Sequence, residues 1–305
     1  MKEIKFNKKI IVPVVIAALL LLRVCANLSR QVSVSDAGGP SETLVEGERE
    51  IKALAQAYSG QIEKIEKRDE EWAFFLDDTW FYWKGGRLLP ESKIEDKNNY
   101  HSYGFYDYPI DFPENLILPD KNQLERRKHV RGVPVDTTFL DTLYGGSSYG
   151  KIRENIRRIN FLGFRIDAHE KIIPILEKIE LEIREAELEG ASIAGFLENL
   201  RTIYCFSWRD IDDSVRRSYH SYGVAVDFIP ANTSGKAVYW LWTKTFNERW
   251  YSVPYNRRWM VPEKIVNIFE KYGFIWGGKW LFYDNMHFEY RPELLIMAGK
   301  DVKAP

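Results

Sequence analysis

Cysteine is scarce in this chain of 305 residues, with two copies, Cys25 and Cys205. If a leader ends at Ala26, Cys205 stands alone and no internal disulfide can form. It then reads as a small buried residue beside Phe206. Neither sign of charge is in excess. The 43 Lys and Arg against 44 Asp and Glu leave a net charge of −1. That gives no basic footprint, so nucleic acid is not an implied partner. Long apolar runs are missing too. The run Ile10–Leu22, behind Lys2, Lys5, Lys8 and Lys9, is short for a membrane span and fits a signal-peptide core. Histidine is rare, with five in all, so each one's surroundings carry weight.

What is present suffices for a packed core: 45% hydrophobic residues, 14% of the chain aromatic. Residues 1–26 read as a signal peptide or an uncleaved membrane anchor. Val24-Cys25-Ala26 offers small residues for cleavage, although Arg23 is an awkward neighbour. Either way the body is expected to be exported, periplasmic or anchored to the outer face of the cytoplasmic membrane. Residues 27–42, rich in Ser, Gly and Pro, read as a flexible linker.

Two stretches carry chemistry. In Ser218-Tyr219-His220-Ser221-Tyr222-Gly223-Val224-Ala225-Val226-Asp227-Phe228, alternation puts Val224, Val226 and Phe228 on one strand face and Asp227 on the other. A carboxylate in so apolar a run is costly to bury unless something pairs with it. A metal ion would do so, and one nitrogen and one oxygen ligand from His220 and Asp227 suit zinc but leave the site incomplete. The second stretch, Asp284-Asn285-Met286-His287-Phe288-Glu289-Tyr290, alternates again and supplies His287 as a third ligand. Asp284, three residues earlier, can then act without ligating the metal.

The pattern Ser-x-His-x6-Asp, with an acidic residue three before a final His, resembles the zinc D-Ala-D-Ala carboxypeptidases of the VanY type. It also resembles their relatives, the L-Ala-D-Glu endopeptidases of phage lysins and bacterial wall hydrolases. Phe206-Ser207-Trp208-Arg209-Asp210-Ile211 and Gly273-Phe274-Ile275-Trp276-Gly277-Gly278-Lys279-Trp280 fit the endopeptidase-like branch better. The resemblance covers roughly the last third of the chain. It implies an exported zinc peptidase acting on peptidoglycan stem peptides, with Zn2+ on His220, Asp227 and His287. Asp284 would be the base and Arg209 the group that steadies the scissile carbonyl. Ser218 would bind substrate or orient His220, and Glu289 would back His287. Aspartate as the base favours the bond between L-Ala and D-Glu. D-alanyl-D-alanine carboxypeptidase activity is the alternative, and a non-catalytic, metal-containing wall-binding module is the alternative of another class.

The expected fold is α+β: a small antiparallel sheet carrying the zinc site, flanked by helices. This occupies residues 188–305, behind a helical and hairpin extension at 43–187 with no enzymatic site of its own. In the extension, Ile51, Leu54, Ala55, Tyr58, Ile62 and Ile65 recur at helical spacing. Trp72–Leu76 and Trp80–Trp83 read as a hairpin around Asp77-Asp78, closed by Gly85-Gly86. Its aromatics could bind glycan, but packing is the plainer reading. Tyr100-His101-Ser102-Tyr103-Gly104 repeats the letters of 219–223, yet Asp107 follows at the wrong spacing and the match reads as coincidence. Arg126–Arg131 reads as a solvated loop, with an anionic wall polymer as the weaker partner. A helix is expected from Asp167, capped with Glu170 and ending at Gly190, with His169 on its surface. Pro174 either kinks that helix or marks its first turn. A shorter helix is expected over 196–203, and another from Pro262 to Gly273. Arg216 and Arg217 are candidates to attract a substrate carboxylate. Trp276 and Trp280 read as packing.

Overall fold

The computed structural model describes residues 46–303 apart from 113–115, 117, 119–132, 210 and 212–215. The leader, Cys25, the linker and the basic run 126–131 lie outside the described residues. Leu44–Pro305 forms one compact unit, mixed α and β.

Helix α1 (Glu48–Ala57) buries Ile51, Ala53 and Leu54. It ends before Ile62 and Ile65; the latter lies in a strand, so the apolar spacing outlasts the helix by two turns. Strands β1 (Lys64–Arg68), β2 (Glu71–Leu76), β3 (Thr79–Lys84) and β4 (Arg87–Pro90) follow as an antiparallel meander. Its turns, Asp69-Glu70, Asp77-Asp78 and Gly85-Gly86, all take positive φ, which matches the twist of two-residue hairpins. The expected hairpin is therefore the centre of a four-stranded sheet. Phe74, Phe81 and Trp83 are buried in it, so these aromatics pack.

Helices α2 (Thr138–Leu143) and α3 (Tyr149–Arg153) lead to a hairpin, β5 (Ile156–Phe161) and β6 (Phe164–His169). Asp167 thus sits mid-strand, paired with Arg158 at 2.9 Å, and caps no helix. Helix α4 (Ile173–Glu189) starts later, with Pro174 in its first turn, where a missing N–H costs nothing. Its stripe of Ile175, Leu176, Ile179 and Ile183 is buried. Helix α5 (Ala191–Glu198) ends before the expected 196–203 helix would. The β-branched Thr202 and Ile203 instead lie in β7 (Leu200–Tyr204), which pairs with the next strand.

Strand β8 (Ala225–Pro230), helix α6 (Trp240–Lys244), helix α7 (Glu263–Lys271), strands β9 (Phe274–Trp276) and β10 (His287–Tyr290), and helix α8 (Pro292–Met297) complete the chain. The second sheet has the order β7-β8-β10-β9, antiparallel throughout. One face is apolar. Val226, Phe228 and Phe288 are fully buried on it, with Phe269 of α7 4.3 Å from Phe288. Each such aromatic contributes roughly 1.5–3 kcal/mol. The other face carries Asp227 and His287. A continuous core joins this sheet to the first: Tyr58 after α1 packs edge-on to Phe139 at 5.9 Å and Tyr290 at 6.4 Å.

Candidate metal centre and cleft

The ligand set is assembled by register. Across β8 and β10, Asp227 is the direct partner of His287, so both side chains leave the sheet on one face. His220 comes from a short 3-10 turn, Tyr219–Tyr222, just before β8. Ser218 caps that turn by accepting from the His220 amide at 3.3 Å. Gly223 ends it at φ 66°, where a Cβ would meet Ile156 Cδ1 at 2.6 Å and the His169 nitrogen at 2.9 Å.

His220, Asp227 and His287 each offer one ligand atom, all within 4.8 Å of one another. Asp227 Oδ2 lies 3.1 Å from His220 Nε2, and Oδ1 lies 2.9 Å from His287 Nδ1. The outer ring nitrogens are already committed. His220 Nδ1 donates to the Cys205 carbonyl, which can only accept. His287 Nε2 donates to Glu289 Oε2 at 3.1 Å. The remaining ring nitrogens, His220 Nε2 and His287 Nδ1, therefore both face Asp227. This is the arrangement by which outer partners fix imidazole tautomers for a metal.

The electrostatics agree with a cation at the centre. Burial works against it, yet hydrogen bonds to Asp227 and Glu289 push the His287 imidazole up to about 10. Burial would raise Asp227, but the two histidines hold it well below the usual carboxylate range. Asp284 goes the other way: burial, then the neighbouring Asp227 charge, push it up to about 7. Its Oδ1 is buried without a hydrogen-bond partner. Two imidazole nitrogens, one carboxylate and an orphaned carboxylate oxygen beside them fit zinc with a group acting on what the metal binds.

Asp284 is held by its backbone. Its amide donates to Gly277 O at 3.0 Å and its carbonyl accepts from the His287 amide at 3.2 Å. Residue 277 must be glycine for this, because a Cβ there would sit 2.6 Å from Asp284 O.

These residues open into a cleft of about 760 Å³, also lined by Arg209, Arg216 and Ser218. Arg209 is exposed and fixed through its backbone: its amide donates to Ser221 Oγ at 2.8 Å, and Ser221 Oγ donates to its carbonyl at 2.7 Å. Asp210, Asp212 and Asp213, its alternative partners, lie outside the described residues. The pair Arg216-Arg217 divides. Arg216 lines the cleft, whereas Arg217 is bound to Asp141 at 2.5 Å and lies 4.7 Å over Trp208. Trp276 is core. Trp280 is half-buried in the cleft wall, 5.6 Å from the His287 ring.

Some of the site was not anticipated. Arg291, buried, lies 3.5 Å from Glu289, also pairs with Glu293 and donates to Gly104 O at 3.1 Å. It extends the line His287–Glu289 on one face of β10, and the alternation His287, Glu289, Arg291 was its signal. Tyr106, Asp107 and Pro109 form part of the cleft wall, so the segment after the repeated Tyr-His-Ser-Tyr-Gly letters reaches the site although His101 does not line it. His169, expected on a surface, is buried. Its Nε2 donates to Tyr144 O at 2.9 Å and its Nδ1 accepts from the Lys171 amide at 3.1 Å.

Comparison with known families matches two segments. The family model for D-alanyl-D-alanine carboxypeptidase matches residues 212–290, about a quarter of the chain, which holds all three ligand residues, Asp284 and Glu289. A domain of unknown function matches residues 50–105, the first helix and meander. No curated protein and no solved structure matches. The site-bearing segment is thus similar to a peptidase family acting on peptidoglycan.

Proposed function

We propose that this chain is an exported, zinc-dependent peptidase that hydrolyses peptidoglycan stem peptides between L-Ala and D-Glu. The observation that carries it is the pair of inward-facing ring nitrogens of His220 and His287 around Asp227, with the unpartnered Oδ1 of Asp284 beside them. Zinc held by those three residues supplies Lewis acidity and makes water nucleophilic near neutral pH. Asp284, raised towards neutrality by its surroundings, takes the proton of the attacking water. As the C–N bond breaks it returns that proton to the leaving amine. Arg209, anchored by Ser221, stabilises the negative charge on the carbonyl oxygen. Ser218 holds the His220 turn, and Glu289 with Arg291 holds His287. Arg216 pairs with the free carboxylate of D-Glu.

The D-alanyl-D-alanine carboxypeptidase reading is supported by the description of the matching family and by Arg216, which can equally bind a terminal carboxylate. Incubating the zinc-loaded protein with a defined pentapeptide stem and identifying the products separates them. Cleavage after L-Ala is expected. Free D-alanine with an intact L-Ala–D-Glu bond overturns that preference. No cleavage at all leaves a metal-containing wall-binding module.

A further inference from the structure

The cleft is larger than the metal centre needs, and its far wall is aromatic. Tyr239, Trp240, Trp242 and Phe282 line it along with the ligands. The wall is a built shelf. Trp240 is buried against Trp250 at 4.8 Å and Phe282 at 5.1 Å, with Tyr283 beneath. Trp242 stands edge-on to Tyr239 at 5.7 Å and remains 55% exposed. Trp242 is thus a half-exposed indole held on a rigid aromatic support inside the cleft, able to offer its ring face to a ligand. The shelf is joined to the chemistry by backbone: Tyr239 forms an antiparallel bridge with Asp284, and Asn285 N donates to Val238 O at 2.9 Å.

This polarises the cleft. Arg216 sits beside Gly104, where a Cβ would lie 2.7 Å from its guanidinium and whose carbonyl accepts from Arg291. It thus marks the Glu289–Arg291 side of the site, while the shelf is bridged to Asp284. A stem peptide has the same polarity. L-Ala is joined by an amide to the lactyl group of an N-acetylated sugar, and D-Glu carries a free carboxylate. If the scissile bond lies between those residues, the sugar falls one residue from the reacting carbonyl, on the side away from the carboxylate. Sugar rings present C–H faces that pack on aromatic rings, and their hydroxyls stay in water.

We infer that the Tyr239–Trp242 shelf is a sugar subsite that binds the N-acetylmuramoyl group of a stem peptide still attached to its glycan. This rests on the function proposed above and adds the substrate's glycan half. The preferred substrate is then a glycan-linked stem, not a free peptide.

The test is binding, so that it does not depend on turnover. Isothermal titration of the zinc-loaded protein with N-acetylmuramoyl-L-alanine is compared between wild type and Trp242→Ala, with circular dichroism confirming the fold and Trp242→Phe as the conservative rescue. Roughly tenfold weaker binding in Trp242→Ala, restored in part by Trp242→Phe, is the expected result. Equal affinity in all three, or no binding to wild type, overturns the inference. Sedimentation with anionic phospholipid vesicles that depends on Trp242, without sugar binding, assigns the shelf to a lipid surface and also overturns it. Failure of the peptidase reading shows separately, as free and glycan-linked stems that both remain uncut. If both are cut, the ratio of kcat/KM for linked over free stems should fall in Trp242→Ala.

Discussion

At the scale of single residues, the proposed function separates groups that would hold the metal from groups that would act beside it. If the centre holds the proposed zinc, His220→Ala and His287→Ala should each remove most of the roughly one zinc per chain found in wild type, measured by metal analysis after gel filtration. Asp284→Ala should keep its zinc and lose turnover by about a hundredfold or more. Loss of metal in that variant would make Asp284 a ligand instead. Glu289→Gln should weaken zinc binding by about ten- to a hundredfold, because the outer nitrogen of His287 loses its anionic partner. His169 gives a pH dependence outside the site. Burial lowers its pKa below the ordinary value near 6.5, so the unfolded chain takes up the proton first as pH falls. Stability should be full above about pH 6.5 and decline below it, and a urea midpoint lower at pH 5.5 than at 7.5 in wild type but less so in His169→Gln would show this. The clustering of His220, Asp227 and His287 was legible in the sequence because strand alternation and a rare residue type coincide there. Their supports were not. The Cys205 carbonyl is a backbone group that any residue could supply, and His169 betrays nothing of its burial because it follows Arg165 and Asp167 on the polar face of β6, opposite Phe164, Ile166 and Ala168.

At the scale of elements, what mattered was where one period gave way to another. The helix expected over 196–203 is overridden at Leu200, where pairing with β8 gives Thr202 and Ile203 more contact than another helical turn would. The run of apolar residues through Ile65 misled in the same way, since the last two belong to the loop and to β1. Helix boundaries with a clear marker, the end of α4 at Gly190 and the start of α7 after Pro262, were legible. The turn before β10 is the most demanding element. Gly277→Ala places a methyl group against Asp284 O and should displace the base while sparing the ligands. Turnover should fall at least about tenfold with zinc content near wild type, since a small misplacement of a catalytic group is costly. Zinc lost in proportion to activity would count against this account.

At the scale of the molecule, the second sheet leans on the first half of the chain. Tyr58 donates to Glu293 at 3.0 Å, Tyr108 donates to Glu270 at 2.5 Å, and Lys279 reaches the Ile110 carbonyl. Glu270 and Glu293 are fully buried. Removing the first half takes one hydrogen bond from each of these buried carboxylates, at roughly 1.5–3 kcal/mol per bond to a charged group. It also uncovers the core that Tyr290 shares with Tyr58. A fragment starting at Gly190 should therefore show no cooperative thermal transition, whereas residues 46–303 should melt as one unit; a sharp transition in the fragment would refute this. Export of the body remains a proposal, tested by whether a phosphatase fused after residue 42 is active. The bond from Arg291 to the Gly104 carbonyl spans 187 positions. The cleft therefore has a birth time. During synthesis, Tyr106, Asp107 and Pro109 emerge long before there is any centre for them to shield, and His287 emerges into a wall already waiting for it. A chain interrupted before Arg291 lacks the residue that ties Glu289, and through it His287, to the Gly104 carbonyl.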